Sequence, residues 1–120
     1  MRVFVYELKF DQMSAVSKAA KAVGAEIVNI KDEDIHASIG SLVDEKNDRK
    51  AGMDVDKQAG ELMIFEGFSG NDLDEFLSVY NSTGFTRVKC KAMITVFNLL
   101  WSPAYLYEHL LEEAENFRKK

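Results

Sequence analysis

The fold is decided by the stretch Leu62-Met-Ile-Phe-Glu-Gly-Phe-Ser-Gly-Asn-Asp-Leu-Asp-Glu-Phe-Leu-Ser-Val-Tyr-Asn-Ser-Thr-Gly84. Its first four residues are apolar on both faces, which is typical of a strand that is covered on each side. Ser69 and Asp72 have the spacing of a capping box, with Asp in place of the usual Glu. Four apolar side chains then recur at helical spacing before Gly84: Leu73, Phe76, Leu77 and Tyr80. The stretch therefore predicts a buried strand, a turn and a helix that a glycine ends.

The same pattern occurs earlier in the chain, and it predicts an internal repeat. Gly24 lies 60 residues before Gly84, and Met13 and Val28 lie 60 before Leu73 and Val88. The segment Phe4-Val-Tyr-Glu lies 59 before Met63-Ile-Phe-Glu, so we place a one-residue difference in the turn between strand and helix. Alternation of Val88, Cys90 and Ala92 with two lysines predicts the last strand, with one face in water.

Each half of the repeat ends in a segment whose sequence predicts a helix. Residues 32–43 predict a short helix capped by its acids, and Ser102-Pro103 predicts the start of a longer final helix. Residues 44–60 between the halves are polar, and we predict a mobile loop there. The sequence thus indicates one domain over residues 1–120, with halves at 1–43 and 61–120.

These elements predict an α/β fold, an α+β sandwich whose four-stranded sheet comes from two βαβ(α) pseudo-repeats. Two architectures fit the element order. A ferredoxin-like sheet has the strand order 4-1-3-2, and a doubly wound parallel sheet has the order 2-1-3-4 with helices on both faces. Both place the two strongly apolar strands at the centre. Internal duplication favours the ferredoxin-like form, and the tail helices are expected to cover its second face.

The segment before the final helix, Lys91-Ala-Met-Ile-Thr-Val-Phe-Asn-Leu-Leu-Trp-Ser-Pro103, combines large apolar residues with the only tryptophan. Lys91, Thr95, Asn98 and Trp101 are its candidate ligand or interface residues. A structural interpretation competes with this one. The spacing of Thr95 and Asn98 suits side chain–backbone bonds in a turn, and Trp101 precedes the helix cap, where it can pack on the first turn.

Several of these motifs resemble a family of small bacterial and archaeal proteins known only as a domain of unknown function. The resemblance covers nearly the full length and is clearest in Glu66-Gly-Phe-Ser, Asp72-Leu-Asp-Glu-Phe-Leu and Lys91-Ala with Thr95, Asn98 and Trp101. Glu33-Asp-Ile with Ile39-Gly-Ser-Leu is a weaker match. The family's late loop is similar to Thr-Pro-Thr-Asn-x-x-Trp, from which this chain departs at Val96 and Phe97. The resemblance implies no activity, cofactor or substrate.

Composition argues against several classes of function. The net charge is −5, and the basic residues are scattered, so we expect neither nucleic acid nor a membrane as partner. A single cysteine, Cys90, excludes an internal disulfide and a cysteine zinc site, and we predict no metal and no cofactor. Without a signal peptide or an apolar stretch long enough to span a bilayer, the expected location is the bacterial cytoplasm.

Two hypotheses for function remain. The first is a non-catalytic interaction or regulatory module, with a homodimer as one form of it, because no acid–base constellation is recognisable. The aromatic residues Phe97, Trp101, Tyr105 and Tyr107 are also expected to be exposed, as suits an interface. The second is a small-molecule-binding domain or enzyme, with a pocket between residues 67–70 and 91–101. Ser69 and Gly70 would there offer the start of a helix to an anion. We predict no catalytic residues and favour a protein that is not an enzyme.

Overall fold

A computed structural model describes residues 1–44 and 48–118, without the side chains of the last two. The strands are β1 (Arg2–Tyr6), β2 (Glu26–Asn29), β3 (Leu62–Glu66) and β4 (Cys90–Met93). The helices are α1 (Phe10–Val23), α2 (Ile39–Val43), α3 (Gly70–Ser82) and α4 (Pro103–Arg118). The chain divides into two compact units, of which the first comprises residues 1–29 and 61–93. Residues 30–60 and the chain from Ile94 onward form the second.

The first unit contains the sheet, whose order is β2-β1-β3-β4. Strands β1 and β2 are parallel, β3 and β4 are parallel, and the central pair β1 and β3 is antiparallel. This confirms the α/β class with a four-stranded sheet. The strand order differs from the 4-1-3-2 expected of a ferredoxin-like sheet, because each helix connects two adjacent strands instead of strands with a third between them. The order 2-1-3-4 is that of the doubly wound alternative, but that alternative lacks the antiparallel centre.

Helices α1 and α3 pack against each other and against one face of this sheet. Val3 and Val5 of β1 and Met63 and Phe65 of β3 alternate onto that face. Phe76 of α3 is fully buried among them, and its ring lies 5.2 Å from that of Phe65 in an edge-to-face contact. On the other face, Phe4, Leu62 and Ile64 are buried as well. The two-sided apolar pattern of β1 and β3 thus corresponds to strands that are buried on both faces.

The first strand and the helix of each half of the first unit begin at a spacing of 60 residues. Strands β1 and β3 begin at Arg2 and Leu62, and helices α1 and α3 begin at Phe10 and Gly70. The intervening turns both use a left-handed residue, Glu7 with φ 55° and Gly67 with φ 74°. The one-residue difference expected in this turn is therefore wrong. Strand β4 begins at Cys90, however, so that Val88 precedes the strand instead of matching Val28.

The second unit combines α2, α4 and two 3₁₀ turns, at Asp32–Asp34 and Asn98–Leu100. The helix expected over residues 32–43 is thus split, because Ser38 caps a new helix with its hydroxyl on the amide of Ser41. Residues 45–47 of the predicted loop lie outside the described residues. Farther along that loop, Lys50 and Met53 make backbone hydrogen bonds of 2.7–2.8 Å to Ser38 and Leu100. The mobility of residues 44–60 and the single domain stay predictions.

Candidate functional site

Thr95 and Asn98 form a closed turn in the second unit. The Asn98 Oδ1 atom accepts a hydrogen bond from the Thr95 amide at 2.8 Å, and the Asn98 amide donates to Thr95 Oγ1 at 3.2 Å. Asn98 is buried, whereas Thr95 is exposed. This reciprocal pair satisfies two backbone donors before the 3₁₀ turn, as a capping box does for a helix. The side chain of Asn98 is therefore engaged in holding the turn.

Trp101 packs along the side of α4. Its ring centroid lies 5.1 Å from that of Tyr105, one helical turn farther on. It lies 4.9 Å from that of His109, two helical turns farther on. Ser102 begins the helix as its cap, with its hydroxyl oxygen accepting the Tyr105 amide at 3.0 Å. Trp101, Tyr105 and Tyr107 are half-buried, so the aromatic exposure expected in this region is found at Phe97 alone among the four predicted aromatics.

The same segment presents an apolar surface to solvent. The side chains of Val96, Phe97 and Leu100 are 77%, 75% and 65% exposed, and Met53 is 51% exposed. The Met53 amide donates to the Leu100 carbonyl at 2.8 Å, so these two residues are neighbours. We call these four residues the apolar patch. They expose roughly 400–600 Å² of large apolar side chain, and patches of about that size often mark binding surfaces. Nothing in the sequence flagged Met53, which lies in a polar stretch.

Lys91 belongs to the first unit, where it lies on β4 opposite Met63. It therefore shares the face on which α1 and α3 pack, but its side chain is exposed, as the alternation predicted. As β4 is an edge strand, the lysine stem follows apolar surface while Nζ donates to the Val88 carbonyl at 3.0 Å. The cavity beside it, lined also by Leu77 and Tyr80, has room for about one water molecule. This space is too small for a metabolite.

Ser69 and Gly70 lie at the start of α3, as the capping box predicts. The carboxylate of Asp72 accepts the Ser69 amide at 3.0 Å and the Ser69 hydroxyl at 2.8 Å, and the Asp72 amide donates to Ser69 Oγ at 3.1 Å. The Ser69 amide holds the pKa of Asp72 below its usual value. The helix start is thus occupied by an anion of the chain itself, and a free anion would have to displace that carboxylate.

A polar cluster that sequence reasoning did not find joins Asp54, His36 and Ser102 in the second unit. Asp54 Oδ1 accepts the Ser102 hydroxyl at 2.6 Å and lies 2.9 Å from His36 Nδ1. Burial alone would raise the pKa of Asp54, but the hydrogen bonds from Ser102 and His36 outweigh it and lower that pKa. The three residues are far apart in sequence, and Asp54 lies in the predicted loop, so no spacing signals them.

These three residue types occur in hydrolases, but their order here does not suit nucleophilic catalysis. A catalytic histidine lies between the serine and the acid, where it removes the hydroxyl proton. Here the acid lies in the middle, and the histidine contacts only the carboxylate in this cluster. Ser102 is fully buried and its oxygen caps α4. The cluster therefore fastens three segments of the second unit together instead of activating a nucleophile.

The described residues also bear on a reactive thiol, a metal site and a membrane-spanning helix. Burial raises the pKa of the Cys90 thiol despite the flanking lysines, which favours the unreactive thiol form. Among residues 1–44 and 48–118, no three His, Cys, Asp or Glu side chains converge as they would around a metal ion. In the same part of the chain, no helix has the length and apolar character needed to cross a membrane.

Comparison with known proteins relates part of the chain to a protein family. Residues 61–117 match the family model described as "Domain of unknown function (DUF3783)". The matched range runs from β3 to α4 and contains the late loop, so the predicted resemblance to a domain of unknown function is confirmed for this part of the chain. No curated protein and no solved structure matches the chain.

Proposed function

We propose that this protein is a non-catalytic interaction module of the bacterial cytoplasm and that the apolar patch is its contact surface. The observation that carries the proposal is the exposure of Val96, Phe97 and Leu100 in a segment whose backbone is fixed by hydrogen bonds. Burial of a large apolar side chain contributes about 1.5–3 kcal/mol, so three such residues favour a contact strongly. If these side chains had no partner, their exposure would only lower the solubility of the protein.

The partner we propose is a second copy of this chain. Residues 92–107, which include most of the patch, carry no charged side chain, although the whole chain has a net charge of −5. Two copies can therefore meet there without opposing like charges. Two patches face to face would bury roughly 1,000 Å², which is near the lower limit of specific interfaces. We thus expect a weak dimer that depends on concentration.

The alternative, a small-molecule site near residues 67–70 and 91–101, has less support. The cavity at Lys91 holds about one water molecule, and the Asp72 carboxylate occupies the start of α3. A pocket that binds a drug-sized ligand has a volume of about 300–1,000 Å³. An interaction surface therefore accounts better for what residues 67–70 and 91–101 present.

An experiment that tests the proposal is light scattering after size exclusion over a wide range of loading concentrations. Wild type should shift from monomer to dimer as its concentration rises. The double variant Phe97→Ser, Leu100→Ser should stay monomeric at the same concentrations, with an unchanged unfolding midpoint. Phe10→Ser is the matched control, because Phe10 is 90% exposed but begins α1 in the first unit. A monomeric wild type, or a double variant that dimerises normally, would contradict the proposal.

A duplication of one βαβ unit is the evolutionary origin we propose for the first unit. Its support is the shared spacing of 60 residues between the starts of β1 and β3, the left-handed turn residues Glu7 and Gly67, and the starts of α1 and α3. The antiparallel pairing of β1 with β3 places Phe4 opposite Ile64, which also lie 60 apart. A pseudo-two-fold axis through that pair would superpose one half on the other.

A further inference from the structure

Residues 50–54 form a strap that crosses the second unit and contributes Met53 to the apolar patch. At one end the Lys50 carbonyl accepts the Ser38 amide at 2.7 Å, and Ala51 forms an antiparallel bridge with Ala37. At the other end the Met53 carbonyl accepts the Ser102 amide at 2.7 Å, beside the bond from the Met53 amide to Leu100. The strap therefore connects the chain before α2 with the chain before α4.

The middle of the strap lies very close to its neighbours. A Cβ atom at Gly52 would stand 2.5 Å from the Leu100 carbonyl oxygen and 2.9 Å from Ser38 Cβ. Both distances are shorter than real side chains tolerate, and one of the obstacles is backbone. Only glycine lets the strap approach Leu100 in this way. The position of Leu100, and with it one edge of the patch, depends on this approach.

The Asp54 carboxylate fastens the end of the strap. It takes a charge-assisted hydrogen bond from the buried Ser102 hydroxyl and a second contact from His36, while 35% of its side chain remains exposed. Hydrogen bonds to an ionised acceptor are shorter and stronger than neutral ones. Asp54 thus ties the segment before α2, the strap and the cap of α4 to a single group.

We propose that Asp54 is the positioning residue of the contact surface: its carboxylate locks the strap and so gives the apolar patch the fixed shape that self-association requires. The inference rests on the proposed function, since it assigns control over the same surface. Without the carboxylate the strap opens, and Met53 and Leu100 lose their mutual position. A loosened patch binds more weakly, because the ordering of its side chains must then be achieved on association.

Amide hydrogen exchange and the dimer dissociation constant, measured together, test this inference. In Asp54→Ala we expect the amides of Met53 and Ser102 to exchange about tenfold faster and the dimer to weaken about tenfold. Asp54→Asn keeps an oxygen that accepts from Ser102, and it should restore part of both effects. Gly52→Ala should likewise speed amide exchange and weaken the dimer, because the added Cβ atom clashes with the Leu100 carbonyl oxygen. The amide of Met63 in the first unit should keep its protection in every variant.

The control is Asp56→Ala, which removes a neighbouring exposed carboxylate. It should leave both exchange and dimerisation as in the wild type. Fast exchange in Asp54→Ala with an unchanged dimer would overturn the inference and leave the proposed function standing. Unchanged amide exchange in Asp54→Ala would overturn the inference as well. A wild type that never dimerises would contradict the proposed function itself, and the control over association would fail with it.

Discussion

At the scale of single residues, the late loop shows how one motif serves structure and surface at once. Thr95 and Asn98 close a turn with each other, and Trp101 packs on α4. The turn leaves Val96 and Phe97 in solvent. The residues that the sequence marks are thus engaged in local contacts, and their neighbours form the exposed surface.

Asn98→Ala should destabilise the protein by about 1–2 kcal/mol, because it removes the acceptor for the Thr95 amide and opens the closed turn. Chemical denaturation followed by circular dichroism measures the change in the free energy of unfolding. Asn116→Ala, at an exposed position of α4, is the matched control and should change stability little. A loss no larger than that of the control would show that the turn does not need Asn98.

At the residue scale, the sequence predicted the bonding of the turn but not the polar cluster. Thr95 and Asn98 are three positions apart, and short polar side chains at that spacing have few partners other than each other's backbone. His36, Asp54 and Ser102 come together only because the strap returns to the start of α4. Contacts at such sequence separations follow from the tertiary fold, and no local pattern encodes them.

At the scale of elements, the helices followed their local signals more closely than the strands did. Helix α3 begins and ends near its predicted cap and glycine because capping is decided within one turn. Strand order was harder to predict, because the alternation of apolar residues indicates which faces are buried but not which strands are neighbours. Lys91 lies on the face that α1 and α3 cover and is nevertheless exposed, because an edge strand leaves room there for a long cationic side chain.

The cap of α3 makes stability depend on acid. Because the folded protein lowers the pKa of Asp72, the contribution of its carboxylate is present above the ordinary pKa of 3.8 and is lost as the pH falls through the lower folded value. Asp72→Asn should therefore destabilise the protein at neutral pH and flatten the fall of its unfolding midpoint below about pH 4. Asp74→Asn, two positions farther on, is the control. Equal pH profiles for the two variants would contradict a capping role for Asp72.

At the scale of the whole molecule, the 60-residue spacing of the first unit allows one backbone position to be compared in two contexts. Glu7 and Gly67 both occupy the left-handed region, with φ 55° and 74°, between a strand and its helix. A residue with a Cβ atom is strained there by roughly 1 kcal/mol, whereas glycine is not. The first half therefore carries strain at a turn where the second half has none.

Exchanging the two residue types should change stability in opposite directions. Glu7→Gly should raise the free energy of unfolding by up to about 1 kcal/mol through relief of the left-handed strain, and Gly67→Ala should lower it by about 1–2 kcal/mol. Gly70→Ala is the control, because nothing lies within 4 Å of the added Cβ and the position is helical. Thermal and denaturant unfolding measure all three. If Glu7→Gly destabilised the protein as much as Gly67→Ala, the two turns would not be equivalent, and the duplication we propose would lose the backbone feature that best supports it.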